Sequence, residues 1–540
     1  MPPKSARAAS GFNRRKFIGL SALATASFHG LSVFGLSSCK KESIKPPLYG
    51  EDTEAVVIGS GFGGAVAALR LTEAGVKTIL LEMGKQYEVA GDNKPFSSTL
   101  EPDGRSTWLR NHTVLPFGPK LSFNDKQLGV LDRIDYQDMQ IYRGTCLGGG
   151  SVVYGAMLPQ ANEILWPREF PDISYAEMQD KWYPMVRSII PVSIVPEDIL
   201  QSDYYKFARV AFDHCERAGM QRFYIPVGVD FNSLRGEING TVPKTLLRGD
   251  LLYGVNTGAK HSVDRNYIPA ALGTGKLTIQ TQTKVNYIQK LEDGRYEVYT
   301  EKINNKGVIY KRQTVRAKYV FVCAGTVGTN QILLRSQKQQ GLSNLEGIGE
   351  KFGTNGNIMA IRGKLDDSVG GKQCVLPVSG YYDPQNPHGV FLAEQTPLPF
   401  GIETRMLGVL GVTVNEYRGK FVLDNTNEEG VSVRFAANGL DQGLAAIKDF
   451  MSRLIDTSGG EVLKNFFPQD GYSKHFTYHP LGGVVRGHSS DAYGRLKGYE
   501  RIYAIDGSMI PGSTCAANPA LTIAAIAERC MDQIIKTDLG

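Results

Sequence analysis

Histidine, cysteine and tryptophan are scarce in this 540-residue chain, at eight, seven and three copies. The histidines form no H-E-x-x-H or H-x-H pattern, and no two cysteines stand as C-x-x-C. Those spacings bring metal ligands together, so no metal site is predicted. Buried, unpaired thiols are the expected state of Cys146, Cys215, Cys323, Cys374, Cys515 and Cys530, and Cys323 falls within an apolar run. After residue 36 no apolar run reaches the roughly 20 residues needed to cross a bilayer. An excess of one charge is missing too. The formal charge is +6, but residues 1–38 hold Lys4, Arg7, Arg14, Arg15 and Lys16 and no acid, which leaves the rest at +1. A near-neutral body argues against a nucleic-acid partner. No internal repeat is found.

The basic leader is a targeting signal. Asn13-Arg14-Arg15-Lys16-Phe17-Ile18-Gly19 resembles a twin-arginine export motif. The apolar run from Phe17 to Leu36 is rich in Gly, Ala and Ser and broken by His29, which suits a cleaved signal better than a permanent membrane helix. Leu36-Ser37-Ser38-Cys39 has the form of a lipoprotein cleavage box, with Cys39 as the acylated first residue of an exported, membrane-anchored protein. If Cys39 is incidental, cleavage releases a secreted soluble protein instead. Residues 1–38 are thus read as signal and 39–52 as linker, its Lys40–Pro47 stretch a polar tether. With 42% hydrophobic residues, the remaining chain can bury a large core, and two domains are expected.

The first chemistry-bearing pattern is Ala55-Val56-Val57-Ile58-Gly59-Ser60-Gly61-Phe62-Gly63-Gly64. Four apolar residues read as a buried strand. Gly59, Gly61 and Gly64 form the G-x-G-x-x-G turn that lets a pyrophosphate approach the backbone at a helix N-terminus. Val66, Leu69 and Ala74 continue at helical spacing, and Gly75 stands where the helix should stop. A second strand, Thr78–Leu81, ends at Glu82, 23 positions after Gly59. An acid there accepts hydrogen bonds from an adenosine ribose. Further on, Leu277–Gln280 alternates as a strand should. Strand-like stretches also surround Tyr296-Glu297-Val298 and Val308-Ile309-Tyr310, and Tyr319–Ala324 reads as a buried return strand. A meander with a return strand is what an FAD domain adds to a plain NAD domain.

The second pattern is C-terminal: Tyr478-His479-Pro480-Leu481-Gly482-Gly483, then Asp506-Gly507-Ser508, then Asn518-Pro519. A His and an Asn that converge can grip one hydroxyl, with His taking or sharing its proton. As alternatives, His479 caps a turn and Asn518-Pro519 is a turn, although Leu521-Thr522-Ile523 suggests that it opens a helix. His475 is the competing histidine and is read as structural.

These segments together resemble the glucose–methanol–choline (GMC) oxidoreductases, and within them the bacterial cholesterol oxidases that hold FAD noncovalently. The resemblance runs from about Glu54 to the C-terminus. Its most specific pieces are Arg143-Gly144 through Gly148-Gly149-Gly150-Ser151, Ala270–Lys276, Asn355-Gly356-Asn357-Ile358-Met359 and the C-terminal segments. It implies a mixed α/β fold. A Rossmann-like FAD domain with parallel sheet and meander would come from 53–90, 138–160, 262–353 and 471–540. A substrate domain of antiparallel sheet and helices would come from 91–137, 161–261 and 354–470. FAD would meet Gly59, Gly61, Phe62, Gly63, Gly64, Glu82, Gly150, Tyr154, Gly155, Met157, Asp506, Gly507, Asn518 and Ala520, and the backbone of Val285. His479 and Asn518 would bind the substrate hydroxyl. Glu394, in Phe391-Leu392-Ala393-Glu394, would move a proton from C4 to C6 of a Δ5-3-ketone; as an alternative it is a surface acid. The partners implied are a sterol, molecular oxygen and a membrane surface, with a monomer the expected state.

The chain departs from that pattern at three positions. Tyr154 stands where an Asn is usual beside the flavin, while Leu392 and Ala520 replace aromatic residues and open space around the ring. The irregular stretch Gly91–Asp125, with Trp108, Leu109, Val114, Phe117 and Phe123, reads equally as a lid or as an inert surface excursion. Other flavin classes fit poorly: no Cys pair follows the first strand, and Glu82-Met83-Gly84-Lys85 lacks the Arg-x-Gly-Gly-Arg of amine oxidases. Two rivals stay open, a dehydrogenase of similar fold that serves a quinone or cytochrome and a non-catalytic sterol-binding lipoprotein.

Overall fold

The computed structural model describes residues 48–91, 93–115, 120–389, 391–397, 401–427, 429–468 and 470–539. The leader, Cys39 and its tether, Phe117 and the Glu394 side chain lie outside the described residues.

Leu48–Ile58 is the centre of the first sheet because its last four residues, Ala55 to Ile58, are buried on both faces. It pairs in parallel with Thr78–Leu81, which pairs in turn with Leu277–Gln280. On its other side lies Ile309–Val322, also parallel, and Ile502–Tyr503 adds a short parallel partner to that strand. The sheet then continues antiparallel through Tyr296–Ile303 and Thr283–Lys290. The expected meander is therefore present, with one difference. Ile309-Tyr310 and Tyr319–Val322 belong to one 14-residue strand rather than two, and Val308 falls just before it. No glycine or proline interrupts residues 309–322, and Thr314 and Val315 carry the strand across the gap.

The helix Phe62–Glu73 follows the glycine turn and buries nearly all its residues against the sheet and against the helix Ala520–Ile534. Gly64 permits this approach, since a Cβ there would fall 2.0 Å from the Gly59 carbonyl oxygen.

A second sheet of six antiparallel strands runs in the order Glu461–Val462, Asn357–Gly363, Leu407–Thr413, Phe391–Pro397, Ser379–Tyr382, Gln221–Tyr224. One face carries Phe391, Ala393 and Val409 and packs on the helices Lys206–Arg217 and Asp441–Ser458. The opposite face carries Met359, Ile361 and Leu410, which cluster with Tyr142, Tyr253 and Tyr478. That second face looks toward the site. Among the described residues no helix is long and apolar enough to cross a membrane.

Candidate active site

A cavity of about 260 Å³ runs from the glycine turn to the C-terminal segments. Gly59, Gly61, Phe62, Gly63, Glu82, Gly150, Tyr154, Gly155, Met157, Val285, His479, Asp506, Gly507, Asn518 and Ala520 all line it. Gly64 does not; it serves helix–strand packing instead. Chain segments more than 400 residues apart thus line one cavity.

At one end the backbone is stripped of side chains. A Cβ at Gly61, Gly150 or Gly325 would meet nothing within 4 Å. All three line the cavity, so side chains there would project into its space. Glu82 is buried, and burial pushes its carboxyl pKa up. Its Oε2 accepts from Ser60 Oγ at 2.6 Å and Ser60 N at 3.2 Å, and its Oε1 from Gly84 N at 2.8 Å. The acid is therefore fixed in place, with lone pairs left for a further donor. Val285 sits beside a β-bulge. Asp506 is held too: Oδ1 accepts from Ser508 N at 2.8 Å and Oδ2 from Thr329 Oγ1 at 2.6 Å.

At the other end His479 stands on a loop tied to the helix Gly325–Lys338. Thr326 Oγ1 donates to Pro480 O at 2.6 Å and Asn330 Nδ2 to Gly482 O at 3.0 Å. The ring's state is set by Asn357, whose role the sequence reading left unassigned although its motif had been singled out. Asn357 Oδ1 accepts from Tyr478 N at 3.2 Å and lies 3.1 Å from Thr477 Oγ1, so the amide must present Nδ2 to His479 Nδ1, 3.0 Å away. Nδ1 is then an acceptor and the hydrogen rides on Nε2. Burial lowers the imidazole pKa to about 4. In this state His479 donates to a ligand oxygen. Taking a proton at Nε2 would require Asn357 to turn over and give up the bond from Tyr478 N.

Asn518 is buried at 3% exposure, and neither its Oδ1 nor its Nδ2 has a hydrogen-bond partner among the described residues. An amide so placed costs stability unless a ligand bonds it. It directly precedes the helix Ala520–Ile534, so the sequence expectation of a helix opening there holds. The loop before it is strained: Cys515 and Ala516 have φ of +57° and +56°. Asn355 staples this loop, donating from Nδ2 to Ala517 O at 2.8 Å and accepting at Oδ1 from Thr514 N at 2.9 Å.

Tyr154 packs edge-on against Phe62, with ring centroids 5.6 Å apart, and its buried hydroxyl has no hydrogen-bond partner among the described residues. Lys260, which the sequence did not flag, donates to the carbonyls of Val152, Tyr154 and Leu251 and so fixes the segment after Gly150. Glu394 lies mid-strand, its backbone paired with Gly380 and Leu410, and Leu410 pairs with Met359. The neighbouring row joins Leu392 through Val412 to Asn357. The register thus puts Glu394 on the sheet face that carries Asn357.

The six described cysteines are all free and buried. Among the described residues Asp213, His214 and Asp367 come within 4.8 Å of one another, as metal ligands would. However, Arg217 bonds both carboxylates and Arg362 bonds His214 Nδ1, which makes the cluster an ion network.

The chain belongs to the GMC oxidoreductase family. The family's main pattern, GMC oxidoreductase, matches residues 53–354, and its C-terminal pattern matches 355–468. It is similar to the cholesterol oxidase of Acinetobacter baumannii, 23% identical over 89% of this chain and 94% of that protein. The cholesterol oxidase of Mycobacterium tuberculosis is 24% identical over 88% of this chain and 90% of its own length. Among solved structures, a fungal aryl-alcohol oxidase superposes with a TM-score of 0.63 at 13% identity, covering 91% of this chain and 100% of that one. The chain is thus an alcohol-oxidising flavoenzyme with FAD as its cofactor. The residues present fit that cofactor: side-chain-free glycines where a pyrophosphate needs the backbone, an acid at the ribose position, and an orphaned buried amide at the far end.

Proposed function

We propose that this chain oxidises the 3β-hydroxyl of cholesterol or a related sterol to the ketone, with O2 reduced to H2O2, and then isomerises the Δ5 double bond to Δ4. The observation that carries this reading is that buried His479 and an Asn518 amide with no hydrogen-bond partner at either end among the described residues line the same cavity. FAD, when bound, supplies the two-electron acceptor for hydride from the carbinol carbon. Gly59, Gly61, Gly63, Gly150, Glu82, Asp506 and the Val285 backbone would hold it. The Asn518 amide donates from Nδ2 to the hydroxyl oxygen, and His479 takes the hydroxyl proton at Nε2 as hydride leaves the carbinol carbon, in the tautomer in which Asn357 has turned its Oδ1 toward Nδ1–H. The cavity walls of Phe62, Tyr154, Met157, Tyr478 and Ile523 keep water from the reacting carbon. Glu394 is assigned the second step. In that step the carboxylate takes a proton from C4 and returns one to C6. Its register on the Asn357 face and the names of the curated relatives support the sterol reading.

We further propose the two-domain division read from the sequence, twin-arginine export, and acylation at Cys39. The deciding assay offers the purified yellow protein several 3β-hydroxysteroids and follows flavin colour and peroxide. Anaerobic bleaching with peroxide under air supports an oxidase. Bleaching without peroxide points to a dehydrogenase that serves another acceptor. A flavin left untouched by every 3β-hydroxysteroid overturns the sterol reading.

A further inference from the structure

Ten large apolar side chains are exposed among the described residues, and the only consecutive ones are Val308, Ile309 and Tyr310, at 57%, 38% and 61% exposure. They stand at the tip of the hairpin that joins Tyr296–Ile303 to Ile309–Val322, where Gly307 turns the chain at φ +76°. A hairpin tip in water is ordinarily polar, since its backbone and side chains face solvent on all sides. Three adjacent apolar residues there need a cover.

The charges around the tip are mostly basic. Lys306 is exposed at the turn and Lys311 follows on the second strand. Lys302 donates to Thr283 Oγ1 at 2.7 Å, and Arg312 is paired with Glu301 at 3.0 Å. Glu51, on the neighbouring strand, accepts from Gln280. Lysine beside exposed aliphatic and aromatic side chains is the chemistry of an anionic lipid surface.

The tether's exit point says where that surface lies. Leu48 pairs with Arg312 and Tyr49 with Gln313, so the first strand begins beside this hairpin tip. Cys39 is nine residues upstream of Leu48, a span of at most about 30 Å when extended. The intervening residues hold Lys40, Lys41 and Lys45 against one acid, Glu42. An acyl group on Cys39 would therefore hold a bilayer within reach of Val308–Tyr310. The tip also abuts the irregular stretch considered as a lid. Leu128 N donates to Asn305 O at 3.1 Å, and a Cβ at Gly307 would fall 2.7 Å from Leu109 Cδ1.

We propose that the hairpin tip from Asn304 to Lys311 is a membrane-seating surface, which lays an anionic bilayer against Val308, Ile309 and Tyr310 beside the lipid anchor. The inference rests on the acylation reading of Cys39 for the position of the bilayer. An anchor at one flexible point leaves the enzyme free to pivot, and a second contact fixes which face of the enzyme meets the lipid. Here that face is the one next to residues 107–109 and 128.

The test uses the full-length, FAD-loaded protein coupled through Cys39 to a maleimide-headgroup lipid in vesicles of phosphatidylcholine and phosphatidylglycerol. Coupling is selective because the other six cysteines are buried. Amide hydrogen exchange is compared with and without vesicles. Exchange across 304–310 is expected to slow by about 3-fold or more, while the exposed turn at 272–275 stays unchanged. A Val308→Asp/Tyr310→Asp double variant should lose that protection, and a Leu272→Asp variant should keep it. Unchanged exchange at 304–310 in the tethered protein overturns the proposal, as does equal protection in the double variant. Protection that appears without vesicles and grows with protein concentration assigns the tip to a second copy and overturns it as well. The acylation reading is read out separately, by detergent-phase partition of the cell-made protein. Because the chemical tether does not depend on that modification, its failure leaves the exchange result to decide the tip.

Discussion

Asn355 is the residue whose removal should most clearly separate positioning from chemistry, because it touches neither cavity nor substrate. Its amide makes two firm bonds to the loop before Asn518, at 2.8 and 2.9 Å, and it is buried at 1% exposure. Each such bond is worth about 1 kcal/mol net, and leaving Thr514 N without a partner costs about 1–3 kcal/mol more. Against this stands the strain of Cys515 and Ala516, both non-glycine residues in the left-handed region, at about 1–2 kcal/mol each. Staple and strain are of similar size, so cutting the staple lets residues 515–516 relax and carries Asn518 away from its place. Asn355 itself has φ +53°, and glycine is therefore the right replacement, since alanine would add strain of its own. In Asn355→Gly the anaerobic bleaching of bound flavin by substrate, followed by stopped flow, should slow by about 10²-fold, the usual result of an ångström-scale misplacement. Flavin content should stay near that of the wild type because the glycine cradle is untouched. A bleaching rate within about 3-fold of wild type would refute the argument, for it would mean that the strained loop holds itself.

Asn357→Asp places an acceptor at His479 Nδ1, which favours the imidazolium and raises the ring's pKa from about 4; the low-pH limb of kcat/KM should move up, and an unmoved limb would detach Asn357 from the ring's protonation. In the unaltered protein His479 has a folded pKa below its ordinary 6.5, so its linkage leaves stability intact above about pH 6.5 and lowers it as pH falls toward 4; equilibrium unfolding between those values should show less of that slope in a His479→Gln variant. Glu394→Gln keeps shape but loses proton shuttling, so cholesterol should still be oxidised and should yield cholest-5-en-3-one in place of the conjugated cholest-4-en-3-one, read by ultraviolet absorption; conjugated ketone at the wild-type rate would clear Glu394 of the role. Cys39→Ala should move the protein from the membrane to the soluble fraction without loss of catalysis, and unchanged fractionation would rule out the lipid anchor.

The nucleotide end of the site was readable because it is local. Gly59 to Glu82 is one continuous strand–turn–helix–strand unit, and every signal in it reports on a near neighbour. The 14-residue strand Ile309–Val322 was divided in the sequence reading because its continuity comes from partners elsewhere, Leu48–Ile58 on one side and Tyr296–Ile303 on the other. The hydroxyl-binding end was half legible. His479 and Asn518 stand in recognisable motifs, but what orients them does not. Asn357 reaches His479 across 122 positions, Asn355 reaches Ala517 across 162, and Lys260 reaches Val152 across 108. An amide in a sequence carries no sign of which of its atoms will be used, so neither the Nε2–H state of His479 nor the loop staple could be read before the fold was known.

Those two long-range contacts share one short turn. Asn355 and Asn357 are two residues apart, at the point where the antiparallel sheet's Asn357–Gly363 strand begins. The same turn thus fixes the loop that carries Asn518 and the ring of His479, and the strand it opens carries Met359 on the face toward the site. A ligand that pushes on the sheet would move both hydroxyl-binding groups together and preserve their spacing. Substrate shape and hydroxyl geometry are then largely separable. Ala520 is buried and lines the cavity, so its small side chain leaves space beside a ligand without touching the hydrogen bonds of the turn. An Ala520→Phe variant should accordingly change substrate preference, while the reaction at the hydroxyl follows the turn at 354–357.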